Sequence, residues 1–410
     1  MEYDGLIRYR SVFNRERLLV ASPRGLADVL VSKSYDFRKP AAGDEHQAER
    51  RSLLPAFQFR HVKNLYPIFW AKAGEVVAAM TAACGVERSA VLEVNWWAMR
   101  CTLDIMGVAG IGVDFGAIPD EDEALMPAYV SLSTPSPEAR LLMLLGTFLP
   151  GWLVWRLPLR RNSVVDEAAR RIRNVSRDLI RDKRARLEAG DDDTAEDMLS
   201  VMLSSGRLTD EGLTDQLMTL LAAGTRHDGV GPHLGRLPAG TAPGQAGPSA
   251  GRGAGEAAVG GRGGGGGDEQ RRGRDALPPS RLQRGASNGH AVPDGTWVML
   301  SPWATNVNSR LWGPDATEFK PERWLDSDIG DGGAGSNYAF MTFLHGPRSC
   351  IGASFARAEL ACLVAAWTGR FALELADEAL MDERRLEFKT AVTARPARGM
   401  HLLLSVVEGW

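Results

Sequence analysis

The stretch that decides the fold is FLHGPRSCIGASFARAE, Phe343 to Glu359. Phe343, Gly346, Arg348, Cys350 and Gly352 stand in the order F-x-x-G-x-R-x-C-x-G, and Ala356 follows. Each residue type suits one task. A cysteine ahead of a helix N-terminus has amide dipoles directed at its sulfur, which favours the thiolate, the form that ligates metals. Glycine lets backbone pass close to a flat partner. Arginine holds an anion through charge-assisted hydrogen bonds. The plain alternative is a structural cysteine with chance neighbours, and five positions at fixed spacing that open a helix weigh against it.

The rest of the chain sets the frame for this loop. Its 410 residues are 44% hydrophobic and 24% charged, with a net charge of -3. These are globular values, enough for one large domain or two smaller ones, and no global charge argues for nucleic acid or an anionic membrane. The four cysteines, Cys84, Cys101, Cys350 and Cys362, include no C-x-x-C pair, which argues against a zinc cluster and for a reducing compartment. Cys84, Cys101 and Cys362 fall on helical patterns and read as buried small hydrophobes. The start, MEYDGLIRYRSVF, has no signal-peptide core and no span. The most apolar run, LLMLLGTFLPGW from Leu141 to Trp152, is short and broken by Gly146, Pro150 and Gly151. It reads as a buried or membrane-grazing helix pair.

Periodicity sketches the organisation. Residues 1–40 read as a strand pair and a helix. From Glu45 to about Gly206 the apolar spacing is helical, with Trp96 and Trp97 in the expected core. The basic run RRIRNVSRDLIRDKRARLE reads as a solvated helix face, or a face for an acidic partner. The acidic GDDDTAED caps the next helix, and Thr209 with Asp210 starts another. AVPDGTWVMLSPWATN reads as strand, turn and strand; ASFARAELACLVAAWTGRFALEL is a long helix that runs into a strand.

The Cys350 loop resembles that of the cytochrome P-450 family, the haem-thiolate monooxygenases, and the detail is similar to fungal members. The resemblance implies that Cys350 is the proximal iron ligand of haem b (iron protoporphyrin IX), donating electron density that favours O–O cleavage. It implies that Arg348 holds a propionate, that Gly346 and Gly352 admit the porphyrin, and that Phe343 packs beside the thiolate loop, with Ala356 on the helix that follows. In DEHQAERRSLLPAF, His46 and Arg50 match a propionate-binding pair four residues apart on one helical face. FKPERWL resembles the meander, in which Arg323 joins an upstream Glu–Arg pair. LTDQLMTLLAAG resembles the start of the distal helix over the haem. The expected fold is mainly α with small β-sheets (α+β), a P-450 fold left incomplete. Expected partners are a small apolar substrate, O2 and a separate electron-donating reductase, with no nucleic acid. The resemblance also implies an endoplasmic reticulum membrane face, although the chain reads as starting after the usual anchor.

Between the two matching parts the composition breaks. Residues 225–288 hold 18 of the 45 glycines and no Phe, Tyr, Trp, Ile, Met, Lys or Cys. Such a segment cannot bury enough apolar surface to order itself. The expected division is therefore 1–224, with the first sheet, the propionate helix and the start of the distal helix; 225–288, low-complexity, out of frame and disordered; and 289–410, with the meander, Cys loop and proximal helix. Codon arithmetic supports the frame reading. His-Glu-Thr, the family's usual continuation after Ala-Gly, read without its first base gives Thr-Arg, followed by His if the next bases allow it; Thr225, Arg226 and His227 stand there. DGVGPHLGRLPAG in GC-rich codons, read one base later, gives TASALTWAVYLLA, and GTAPGQAGPSAGRGAGEAAV gives ARHPDRQARALAEVRARLPS. Both products are amphipathic helix.

Several matches then read as chance. Thr225 stands too early to be the proton-relay threonine. Glu269 and Arg272 spell E-x-x-R in a glycine-arginine run without an apolar face. GRGGGG follows no strand, so it is no dinucleotide loop. Arg323 is expected to lack its partners, a costly state for a buried guanidinium. Two rival functions remain: a damaged, inactive relative, and an arginine-glycine tract that binds RNA.

Overall fold

A computed structural model describes residues 5–10, 14, 16–37, 46–120, 160–190, 197–224, 285–287, 290–293, 296–325, 332–377, 387–390 and 394–408. The apolar run at 141–152 and residues 225–284, including Thr225, Glu269 and Arg272, lie outside them. The strands are β1 (Leu6–Arg10), β2 (Glu16–Val20), β3 (Ser89–Glu93), β4 (Gly285–Ser287), β5 (His290–Val292), β6 (Trp297–Leu300), β7 (Phe371–Leu375), β8 (Phe388–Thr390), β9 (Ala394–Pro396) and β10 (His401–Val406). The α-helices are α1 (Pro23–Ala27), α2 (His46–Leu53), α3 (Phe59–Asn64), α4 (Tyr66–Ala83), α5 (Val94–Ile111), α6 (Arg160–Ala189), α7 (Met198–Ser204), α8 (Asp210–Gly224), α9 (Pro302–Asn306), α10 (Ser309–Trp312) and α11 (Ala353–Arg370). Helices thus dominate over small sheets, as the sequence predicts. The β3 strand is an addition to the helical reading of that region, and β4, paired antiparallel with β5, is ordered structure at the end of the stretch expected to be disordered.

The chain divides into two bodies, Met1–Arg50 with Arg252–Ala353, and Arg51–Gly251 with Ser354–Trp410. In the first, β1 pairs antiparallel with β2, and β2 parallel with β6. Leu6, Val20 and Leu300 are in register across the three strands and turn one face inward. They pack with Leu26, Val29, Leu30 and Met341 into a core that also takes in Phe37, Val298, Tyr338 and Leu344. Local chemistry starts each helix. Ser22 accepts from the Gly25 N–H at 3.2 Å, and Pro23 stands in the first turn, where no N–H is needed. Ser301 and Pro302 repeat the device at α9.

In the second body, β10 lies between β3 and β7. Phe69 of α4 meets Phe355 of α11 edge to face, with ring centroids 4.9 Å apart. A buried ion pair lies inside this body. Lys183 of α6 meets Asp197 at 2.6 Å, both side chains almost wholly buried. Asp197 also caps α7 by accepting from the Ser200 N–H at 2.9 Å, the capping role expected of the acidic loop. Gly112 ends α5 with a left-handed φ of 77°; a Cβ there would stand 3.0 Å from Asp197 Oδ2. Asp104 accepts from the Ala117 and Ile118 N–H groups at 2.8 and 2.9 Å. Burial raises its carboxyl pKa, and those two bonds oppose the rise.

One sequence expectation changes here. Trp96 and Trp97 are half-buried and not core; the Trp97 ring lies under the Arg100 guanidinium, 4.6 Å from its centroid. The basic face of α6 is largely exposed, as the sequence predicts, and part of it pairs with acids of α8. Arg173 meets Asp215 at 2.8 Å and Glu211 at 3.5 Å, Arg177 meets Glu211 at 3.3 Å, and Arg184 meets Asp210. The acidic first turns of α8 neutralise those arginines, which periodicity within one helix cannot show.

Candidate functional site: the Cys350 loop

Cys350 sits between a single 3-10 turn, Gly346–Arg348, and the start of α11. Its N–H donates to the Phe343 carbonyl at 2.8 Å, which closes the loop on itself. Inside that closure, Ser349 N–H donates to Gly346 O at 3.0 Å and Leu344 N–H to Met341 O at 3.1 Å. Two residues are left-handed: Leu344 at φ 55° and Gly346 at φ 71°. For Gly346 the need for glycine is double, since a Cβ there would come 2.1 Å from the Leu30 carbonyl oxygen. The sequence reading assigned Gly346 to close passage of a porphyrin; the close neighbour in the structure is the chain's own Leu30.

All four cysteines are described, and Cys350 alone is exposed. Burial pushes the Cys362 thiol up to about 11, with the charge of Glu359 adding to it, and burial likewise holds Cys101 well above the ordinary thiol range. Those thiols stay protonated and enclosed.

Two arginines frame the exposed one. Arg348 Nη1 donates to the Phe37 carbonyl at 2.7 Å. Arg50 Nη1 donates to the Ser349 carbonyl at 2.6 Å, and its Nη2 to Ser349 Oγ at 3.1 Å. The sequence thus brings Arg50 and Arg348 to the cysteine, but the bonds seen run to backbone and to Ser349, a residue the motif leaves unspecified. His46 is the first residue of α2, one helical turn before Arg50; its side chain lies outside the described residues. Phe343 and Gly352 are half-buried in the loop, and Ala356 is half-buried in the first turn of α11.

Arg323 departs from expectation. Its guanidinium, 14% exposed, pairs with Asp315 at 3.3 Å. It also donates to the carbonyls of Trp312 and Asp315 at 3.3 and 3.2 Å, and lies over the Trp312 ring at 5.8 Å. The expected orphaned guanidinium is therefore satisfied locally. The Lys320 and Arg323 side chains both bind Asp315, and together they hold its carboxyl below its ordinary range. The family pattern puts the partners of Arg323 on a distant upstream helix; here the partner stands only eight residues before it.

The donor set fits a haem held by a thiolate: a soft sulfur at the surface, in a loop where Arg50 and Arg348 have N–H donors beyond the bonds described. Comparison with known proteins gives the same assignment. The profile of the family described as Cytochrome P450 matches residues 34–226 and 283–402. The chain is 38% identical to cytochrome P450 monooxygenase ALT8 of Alternaria alternata over 505 aligned positions, covering 99% of this chain and 84% of that protein. It is 36% identical to cytochrome P450 monooxygenase sphH of Aspergillus fumigatus, over 99% of this chain and 82% of that one, and 36% identical to FUM15 of Gibberella moniliformis, over 96% and 80%. With the Cys350 loop in place and similarity along nearly its whole length, the chain belongs to the cytochrome P450 family of haem-dependent monooxygenases.

Proposed function

We propose that the protein uses haem b, with Cys350 as its iron ligand, to insert one oxygen atom from O2 into a small apolar substrate, with electrons from a separate reductase. When bound, the haem supplies O2 binding and reductive O–O cleavage. The chain's own groups bind and orient it. Cys350 offers the thiolate; Arg348, Arg50 and His46 take the propionates; Phe343 covers the loop, and Gly346 lets that loop lie against Leu30. The observation that carries this reading is the single exposed thiol, set in a loop that two arginines brace. Titration of the purified chain with hemin tests it. The expected result is one haem per chain, weakened by Arg50→Ala and Arg348→Ala and lost in Cys350→Ser. Equal uptake by all four proteins contradicts it.

We also propose that residues 225 to about 288 are read out of frame. The family match stops at 226 and resumes at 283, within a few residues of the composition break. The ALT8 alignment is longer than this chain, so the relative carries residues inside the aligned span that have no counterpart here. One frame accounts for more than the His-Glu-Thr arithmetic does. Thr225-Arg226-His227-Asp228-Gly229, written ACG AGA CAC GAC GGC and read one base later, gives Arg-Asp-Thr-Thr. It runs without a break into the helical string TASALTWAVYLLA. That frame restores an acid and an alcohol one residue beyond Gly224, the chemistry that moves protons. Sequencing the gene and its transcript tests this; codons that cannot give these residues one base later overturn it.

For location, we propose a membrane face. Ile7, Trp297 and Met299 are exposed, and they share the outer face of the β1–β2–β6 sheet with Arg17, which stacks on Trp297 at 5.3 Å. Among the described residues no helix is long and apolar enough to cross a membrane. Flotation with anionic vesicles, weakened by Trp297→Ser, tests it.

A further inference from the structure

The geometry points to Asn306 as a positioning residue for the thiolate loop, a role that rests on the haem-thiolate reading above. Asn306 is the last residue of α9. Its Oδ1 accepts from the Met341 N–H at 2.7 Å, and its Nδ2 donates to Thr342 Oγ1 at 3.0 Å. One side chain therefore holds two consecutive residues of the segment that leads into the loop. The next residue is Phe343, whose carbonyl receives the Cys350 N–H at 2.8 Å. From Asn306 to the ligand's own amide the path is two side-chain bonds, one peptide and one backbone bond.

The surroundings make this hold rigid. Met341 is fully buried, so its N–H has no water to fall back on once the acceptor is removed. Leu344 N–H donates to Met341 O, which ties the same residue to the left-handed turn at Leu344 and Gly346. Asn306 is itself fixed. Its neighbour Thr305 is buried, donates from Oγ1 to Ser301 O at 3.0 Å and accepts from Trp312 Nε1 at its own carbonyl at 3.1 Å. On the other side Phe340 packs edge to face on Trp324, centroids 5.3 Å apart, and Trp324 leans on Trp312 at 5.7 Å. The segment is gripped by a hydrogen-bonded amide and by aromatic rings. Of the two, only the amide fixes its register, because ring contacts tolerate sliding and paired hydrogen bonds do not.

Hydrogen exchange on the haem-free full chain reads this hold directly, so the test stands apart from the haem reading. Asn306→Ala is expected to speed exchange of the Met341 and Cys350 amides about five- to tenfold, the loss of roughly one net hydrogen bond, with amides of α4 and α5 unchanged. Asn306→Asp keeps an acceptor for the Met341 N–H and for the Thr342 hydroxyl and is expected to restore protection. Thr342→Val removes only the outer bond and is expected to give a smaller rise; it serves if Asn306→Ala does not fold. On hemin-loaded protein, the thiolate-ligated fraction falls in Asn306→Ala and returns in Asn306→Asp. Unchanged exchange at Met341 and Cys350 in Asn306→Ala, a rise spread evenly over the chain, or no rescue by Asp overturns the role. If no variant, nor the wild type, binds haem but the exchange pattern appears, the haem reading fails and the positioning of Cys350 by Asn306 stands.

Discussion

The two bodies hold their polar groups in different ways. The helical body buries one ion pair, Lys183 with Asp197, sets the buried Lys72 against the half-exposed Asp114 and Glu75, and ties Arg100 and Asp104 to backbone groups at 117 and 118. Around Cys350 the other body relies on bonds from side chain to backbone: Arg348 to Phe37, Arg50 to Ser349, Asn306 to Met341, and Arg323 to Trp312 and Asp315. A buried ion pair fixes where elements sit and leaves the backbone between them unspecified. A side chain bonded to a peptide group fixes the path of the chain itself. A loop that must present one sulfur needs the second kind of support.

The contrast can be broken in order of size. Lys183→Met leaves Asp197 buried without its partner and is expected to cost about 3–5 kcal/mol in chemical denaturation; a loss under 1 kcal/mol would mean the pair is decorative. Gly346→Ala forces a left-handed Cβ against the Leu30 carbonyl, which is expected to cost roughly 2–4 kcal/mol and to disturb the Cys350 loop. Alkaline titration sharpens the picture of the helical body. The folded Cys362 thiol, raised from 9.0 to about 11, keeps its proton where the unfolded chain releases it. Its contribution is therefore whole below about pH 9 and is lost as pH rises toward 11, near 1.4 kcal/mol per unit. Cys362→Ala should flatten that limb. Glu211→Gln is the smallest change. It removes a partner of Arg173 and Arg177 at an exposed place, with an expected cost below about 1 kcal/mol that vanishes in high salt.

What the sequence revealed follows the same division. The Cys350 motif pointed to the family because a cysteine, two glycines and an arginine stand at fixed spacing, and the family match agrees. The strand pair, the α11-to-β7 run and the caps at Asp197 and Thr209 were legible because their causes are local. The matching of α6 to α8, the half-exposure of Trp96 and Trp97 and the Asp315 partner of Arg323 were not. Each depends on a contact that no single element's periodicity encodes. Asn306 left no signal either, since an asparagine at a helix end is usually a solvated cap. The composition break was directly visible: from 225 to 288 the sequence has 18 glycines and no Phe, Tyr, Trp, Ile or Met.

The account turns on sulfur ligation by Cys350, and the carbon monoxide difference spectrum of the reduced, hemin-supplied chain reads it most directly. The prediction is a strongly red-shifted thiolate Soret band for the wild type and its absence from Cys350→Ser. A wild-type spectrum without that band, or a serine variant that keeps it, contradicts the account.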